Sequence, residues 1–171
     1  MEYLQNMDNA TVLSSLQGRF GAAVKTLGMP YTLLTVEVDS DQIIDVLRFA
    51  KEDEALQLSY LTDITAVHYP LQPGREFCVV YHVYNMYANY RLRLKAFLPA
   101  ADLHIDSATA LWNGANWMER ETFDFYGIIF DGHPDLRRIL NMDDLDVFPM
   151  RKEYPLEDPN RIDKKDFYFG R

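Results

Sequence analysis

Val12, Leu16, Phe20, Ala23 and Leu27 fall three or four residues apart, so an amphipathic helix is predicted over residues 11–27. Gly28-Met29-Pro30 closes it, since neither glycine nor proline sustains a helix. Residues 31–38 are rich in Thr, Leu and Val and read as a strand. Asp39 with Gln42 three positions on has capping-box spacing and opens a second helix, which carries Ile43, Val46, Leu47 and Ala50 on one side. Three strand-like runs follow: residues 56–69, interrupted near Thr62-Asp63; residues 76–84, with a turn at 85–89; and residues 90–98. In the last run Arg91, Arg93 and Lys95 alternate with Leu92, Leu94 and Ala96. That period of two belongs to an antiparallel strand with one wet face and one dry face. Pro99 ends it.

A short helical turn is predicted over residues 107–114. Asn116 and Glu119 then have the spacing of a capping box, and the next helix runs to Gly127, a candidate left-handed C-terminal residue. The order is α-β-α-β-β-β-α, an α+β fold with helices packed on a mostly antiparallel sheet, covering residues 1–142. Residues 143–171 read as an extended C-terminal arm. Pro149, Pro155 and Pro159 punctuate a charged run with too few apolar residues for a core of its own. The run reads either as a disordered tail or, given Tyr154, Phe167, Tyr168 and Phe169, as an arm that becomes ordered on another subunit.

A chain of 171 residues is long enough for one domain with a proper core, and 48% hydrophobic with 25% charged residues is ordinary for a globular protein. The formal net charge of -9 opposes nucleic-acid binding, which needs a basic face. It fits either simple solubility or matching to a basic partner. The lone Cys78 cannot form an internal disulfide, nor by itself hold an iron–sulfur cluster or a structural zinc. No apolar segment approaches the roughly 18 to 20 residues that span a bilayer. The start, MEYLQNMDNATVL, lacks the positive charge and apolar block of a signal peptide. A soluble or peripherally attached protein is expected.

Between residues 116 and 140 the candidate chemistry is concentrated. Glu119, Arg120, Glu121, Asp124, His133, Arg137 and Arg138 stand among Trp117, Phe123, Phe125 and Tyr126. Charges this dense among large aromatics must pair with one another or with a partner. Arg120 and Asp124, four apart, predict an intrahelical ion pair. Glu121 lies one turn from Trp117, while Met118, Thr122 and Phe125 form a separate stripe. Glu119, Glu121 and Asp124 with His133 are the candidates for a metal site or an acid–base pair. Their spacing is poor for a metal, with no HExxH and no second clustered histidine. His133 ahead of Pro134 is expected to hold a loop by hydrogen bonds. His68, His82 and His104 are scattered and form no ligand set. There is no GxGxxG, GxxxxGK or GxSxG loop, so neither a nucleotide cofactor nor a covalent nucleophile is supported.

Glu119-Arg120-Glu121, then Asp124, Gly127, Phe130, Gly132-His133-Pro134, Leu136, Arg137 and Ile139-Leu140, resembles the signature of the 30-kDa peripheral-arm subunit of respiratory complex I, the NADH:quinone oxidoreductase. Similarity extends to residues 61–70, although His68 stands where an Asp is usual, and to residues 77–82 and 91–95. Beyond Asp144 the family usually shows Trp, a Gly and then Pro-Leu-Arg-Lys; this sequence departs from it at Leu145, Val147 and Met150, while Pro149 and the Arg151-Lys152 basic pair are kept. The resemblance implies a protein with no redox centre and no cofactor of its own, FMN, iron–sulfur clusters and quinone belonging to its partners. Those partners would be the quinone-site large subunit, the terminal-cluster subunit and the ferredoxin-like two-cluster subunit. It also implies a peripheral place at the cytoplasmic face of the inner membrane. Glu119, Arg120, Glu121 and Asp124 would then fix the junction of core and arm. His133, Arg137, Arg138, Arg151 and Lys152 would anchor the arm on the large subunit. Three rivals remain: the equivalent subunit of a membrane-bound hydrogenase or ferredoxin:quinone reductase, an independent acid–base enzyme, and a freely acting acidic interaction module.

Overall fold

The computed structural model describes residues 7–154. Helix α1 spans Asn9–Phe20, with the Asp8 carboxylate accepting from the Thr11 N–H at 2.7 Å and Val12 and Leu16 buried. It ends well before the predicted residue 27. Gly21 takes a left-handed φ of 57° and its N–H closes on the Gln17 carbonyl. The chain then turns into strand β1, Val24–Gly28, antiparallel to β2, Leu34–Val38. The apparent continuation of the helical stripe through Leu27 was a coincidence of spacing, for Leu27 is exposed.

Helix α2 spans Ile43–Glu52 and buries Ile43, Val46, Leu47 and Ala50, the stripe read from the sequence. The capping box does not form. Ser40–Gln42 makes a 3-10 turn, no side chain caps the helix, and the Asp39 carboxylate instead meets Lys25 Nζ at 3.2 Å. The tighter turn satisfies the Gln42 N–H on the Asp39 carbonyl, so a side-chain cap has less to do.

Strands β3 (Tyr60–His68), β4 (Phe77–Asn85) and β5 (Tyr90–Leu98) form an antiparallel meander. The register slips between Leu61 and Asp63, at the predicted interruption. The β4–β5 turn is held by the Asn85 side chain, which accepts from the N–H groups of Tyr87 and Ala88. The five strands lie in the order β1-β2-β5-β4-β3, antiparallel except where β2 runs parallel to β5. This is the predicted α+β fold, with three strands more than the predicted order. Besides β1 there are β6 (His104–Asp106) and β7 (Ile129–Asp131), a small parallel pair. Three residues are too few for a hydrophobic period to announce them.

Helix α3 spans Ala115–Tyr126 and packs on β3, its Thr122 hydroxyl directed at the Ile64 carbonyl. Its cap is also not the predicted one. Gly114 precedes the helix with no side-chain hydrogen bond, and Asn116 lies inside the first turn. Glu119, freed of the capping role, turns elsewhere. Among the described residues no helix is long and apolar enough to cross a membrane.

Candidate functional site: the junction between α3 and the C-terminal strap

Four of the six buried residues of α3 are polar: Glu119, Arg120, Thr122 and Asp124. Polar groups out of water need partners, and a strap of chain supplies them. Residues 133–141 run beside α3 in the same direction. At the first turn, His133 Nε2 lies 3.1 Å from the Asn116 carbonyl and its Nδ1 accepts the Asp135 N–H. One turn on, Arg120 donates to the carbonyls of Arg137 and Arg138 at 3.1 and 2.9 Å. At the next turn Asp124 accepts five hydrogen bonds from Arg138, from the N–H groups of Ile139, Leu140 and Asn141, and from the Asn141 side chain.

Arg138 completes the knot. Its guanidinium meets the Asp124 carboxylate at 2.7 Å and donates to the carbonyls of Asp124, Leu145 and Val147. Both side chains of this ion pair are nearly sealed from solvent. Burial alone would raise the Asp124 pKa. The N–H groups of Asn141 and Leu140 and the side chains of Arg138 and Asn141 overcome it and hold the carboxyl well below the usual range.

The strap then returns across the end of the helix. Met150 N–H donates to the Phe125 carbonyl and Arg151 Nε to the Tyr126 carbonyl at 2.7 Å, two groups that a helix C-terminus leaves without partners. Gly127 makes this approach possible. It takes φ 75°, and a Cβ there would meet Arg151 Nη2 and the Phe148 ring at 2.6 Å. Phe148 lies edge-on to Phe123 and within reach of two guanidiniums, at 5.2 Å from Arg138 and 4.6 Å from Arg151. Finally the Lys152 N–H donates to His68 Nδ1 at 3.0 Å, the imidazole stacking on Phe77. Burial lowers the His68 pKa, which suits a ring that must keep Nδ1 unprotonated to accept.

Glu119 serves a separate part of the junction. Its carboxylate accepts from the Ser107 hydroxyl and the Ala108 N–H, both at 2.6 Å, fastening the turn before α3. Burial pushes its pKa up to about 7 against those two donors. The nearby Tyr81 hydroxyl is fully buried and has no hydrogen-bond partner among the described residues; burial, then the charge of Glu119, raises its pKa.

The predicted Arg120–Asp124 pair is therefore absent. Each residue spends its hydrogen bonds on the strap, where directed backbone groups outcompete a weak contact along the helix. Nor do Glu119, Asp124 and His133 converge, since each has different partners. Glu121 is exposed. The Arg137 side chain is exposed too and, among the described residues, pairs with Asp135 at 2.9 Å, while its carbonyl accepts from Arg120. Lys152 contributes its backbone N–H, not its ammonium. Sequence reasoning missed His68, Asn141 and Phe148. Only His68 left a signal there, standing where the resemblance called for an Asp. Of the predicted arm, residues 155–171 lie outside the described residues. Among those described, no three His, Cys, Asp or Glu side chains group as a metal site.

Fold and junction together define an α+β domain that fastens a C-terminal strap through buried charges. The family described as respiratory-chain NADH dehydrogenase, 30 Kd subunit, matches residues 36–160, and the chain belongs to it. It is 42% identical to the C subunit of the NADH-quinone oxidoreductase of Geobacter sulfurreducens, over 90% of this chain and 94% of that one. It is 44% identical to the same subunit from Citrifermentans bemidjiense, with the same coverage. Among solved structures it resembles a trypsin-resistant fragment (1-134) of Nqo5, with a TM-score of 0.64 and 26% identity, covering 74% of this chain and 98% of the fragment. A chain of an archaeal membrane-bound sulfane sulfur reductase shares the fold, with a TM-score of 0.71, 23% identity and coverage of 86% and 85%.

Proposed function

We propose that this chain is a structural and assembly subunit in the peripheral arm of an NADH-quinone oxidoreductase. That enzyme passes electrons from NADH through FMN and iron–sulfur clusters to quinone, coupled to ion translocation. The groups that react would be carried by neighbouring subunits: the quinone-site large subunit, the terminal-cluster subunit and the two-cluster ferredoxin-like subunit. The chain would sit peripherally at the cytoplasmic face of the inner membrane. Its family and its relatives support membership of such a complex.

The observation that carries the non-catalytic role is how Asp124 and Arg138 are used. The contacts of this pair go to each other, to the end of α3 and to the chain's own strap, which leaves the pair occupied as a fastener rather than poised for chemistry. In this reading residues 1–142 form the body and 143–171 the arm. Glu119, Arg120 and Asp124 set the junction, and Arg138 and Arg151 hold the arm's root so that the remainder reaches partners. His133 ties the strap to the start of α3, while Glu121, Arg137 and Lys152 have exposed side chains available to the large subunit.

Removing one member of a buried ion pair costs about 3–5 kcal/mol. Arg138→Ala is therefore expected to lower the amount of assembled complex on blue-native gels. Turnover normalised to iron–sulfur content should remain near the wild-type value. Full assembly with lost turnover would overturn the proposal.

A further inference from the structure

We infer that the loop of residues 139–150 is a preformed docking surface for a neighbouring subunit that offers an apolar hollow flanked by Lys and Arg. This rests on the reading of the chain as one member of a larger complex.

The loop has two unlike sides. Inward, it is pinned at both ends and in the middle. Asp124 takes the N–H groups of residues 139–141, and Arg138 takes the carbonyls of Leu145 and Val147. Phe148 lies against Phe123, and the Met150 N–H donates to the Phe125 carbonyl. A loop tied at so many points has little conformational freedom left to lose on binding.

Outward, it presents what a lone soluble chain has no use for. Leu140, Met142 and Met150 are 64%, 70% and 52% exposed. Asp143, Asp144 and Asp146 are exposed beside them, and none has an ion-pair partner among the described residues. Residues 139–150 contain no Lys or Arg, and the preceding Arg138 is turned inward. The exposed leucine and two methionines favour apolar contact, and methionine adapts to a partner's outline. Three carboxylates without an ion-pair partner among the described residues select the charge of the other side.

That charge also rules among occupants. A second copy meeting this loop through a two-fold axis would set three aspartates against three. Nucleic acid and an anionic lipid surface would be repelled in the same way. A basic protein face is the occupant that the loop fits.

The test uses the full chain in its membrane complex. A photo-crosslinking amino acid placed at Met142 should form an adduct with a single different subunit, at a peptide containing Lys or Arg. The triple variant Asp143→Lys, Asp144→Lys, Asp146→Lys should melt like the wild type in isolation, yet co-purify with the complex on the order of tenfold less well at low salt. An intact complex with no adduct at Met142, or an adduct only to a second copy of this chain, would overturn the inference and leave the proposed function standing. Full incorporation of the triple variant would do the same. Absence of the chain from any membrane complex would overturn both.

Discussion

Along β5, Leu92, Leu94, Ala96 and Leu98 bury apolar side chains in the core shared with α1, α2 and the neighbouring strands. Along α3, one layer away, the buried set includes Glu119, Arg120, Thr122 and Asp124. The first region is held by area removed from water, which is non-directional and forgives small changes of shape. The second is held by hydrogen bonds that each require a named donor opposite a named acceptor. The contrast shows why a signature of charges can sit beside an ordinary core. The core needs only to be apolar and the right size, whereas the junction must be spelled residue by residue.

Injuring each region once should separate them most strongly. Asp124→Ala should cost about 3–5 kcal/mol, because it strands Arg138 and three backbone N–H groups. Hydrogen exchange should show the loss confined largely to residues 133–152, with β4 and β5 still protected. Leu94→Ala should cost about 2–5 kcal/mol but lower protection everywhere, since it opens a cavity in the shared core. Equal loss of protection in both variants would mean that the two regions form one cooperative unit.

Acidity separates them next. Glu119 has its folded pKa raised to about 7, against 4.5 for the free group. The folded state therefore binds more protons between these values, and stability present below pH 4.5 is lost as pH rises through 7. The isosteric variant Glu119→Gln should remove that slope. Between pH 5 and 8 denaturant midpoints should shift in favour of the variant by up to about 3 kcal/mol in converted free energy. Parallel pH profiles would show Glu119 ionised throughout.

Gly127→Ala comes next in size. The left-handed backbone costs an alanine about 1–2 kcal/mol, and its methyl collides with Arg151 and Phe148. Trypsin should cut after Arg151 or Lys152 several-fold faster than in the wild type, with cleavage within the sheet unchanged. The smallest effect belongs to His68. Its folded pKa is lowered by burial, so stability is lost as pH falls below 6.5 toward the folded value. Protonation also removes the acceptor for the Lys152 N–H. Mild acid should raise exchange at Lys152 before it affects the sheet, and His68→Asn should abolish that early step.

The legible parts of the fold were those with a long period. The alternation of β5 and the stripe of α2 matched because several residues in each repeat the same instruction. The wrong end of α1 and the missing β1 share one cause, for Ala23 and Leu27 fit a helical stripe as well as an edge strand. Both capping boxes failed because the motif specifies a spacing, not a partner. Asp39 found Lys25, and Glu119 found Ser107 and Ala108. At the site, the charged residues could be named from the sequence but their pairing could not. Arg120 and Asp124 are one turn apart along the helix, while the backbone carbonyls and N–H groups they use lie 15 to 18 positions away.

The class of fold, the strands with a clear period and the family all follow from residue order, because they rest on repeats and on a register of residue types. Which charge meets which, the place of His68 and Gly127 in the junction, and the side of the strap that faces out are settled only when the chain has folded. Those outcomes depend on backbone groups, which every residue carries alike and which no pattern of side chains can announce.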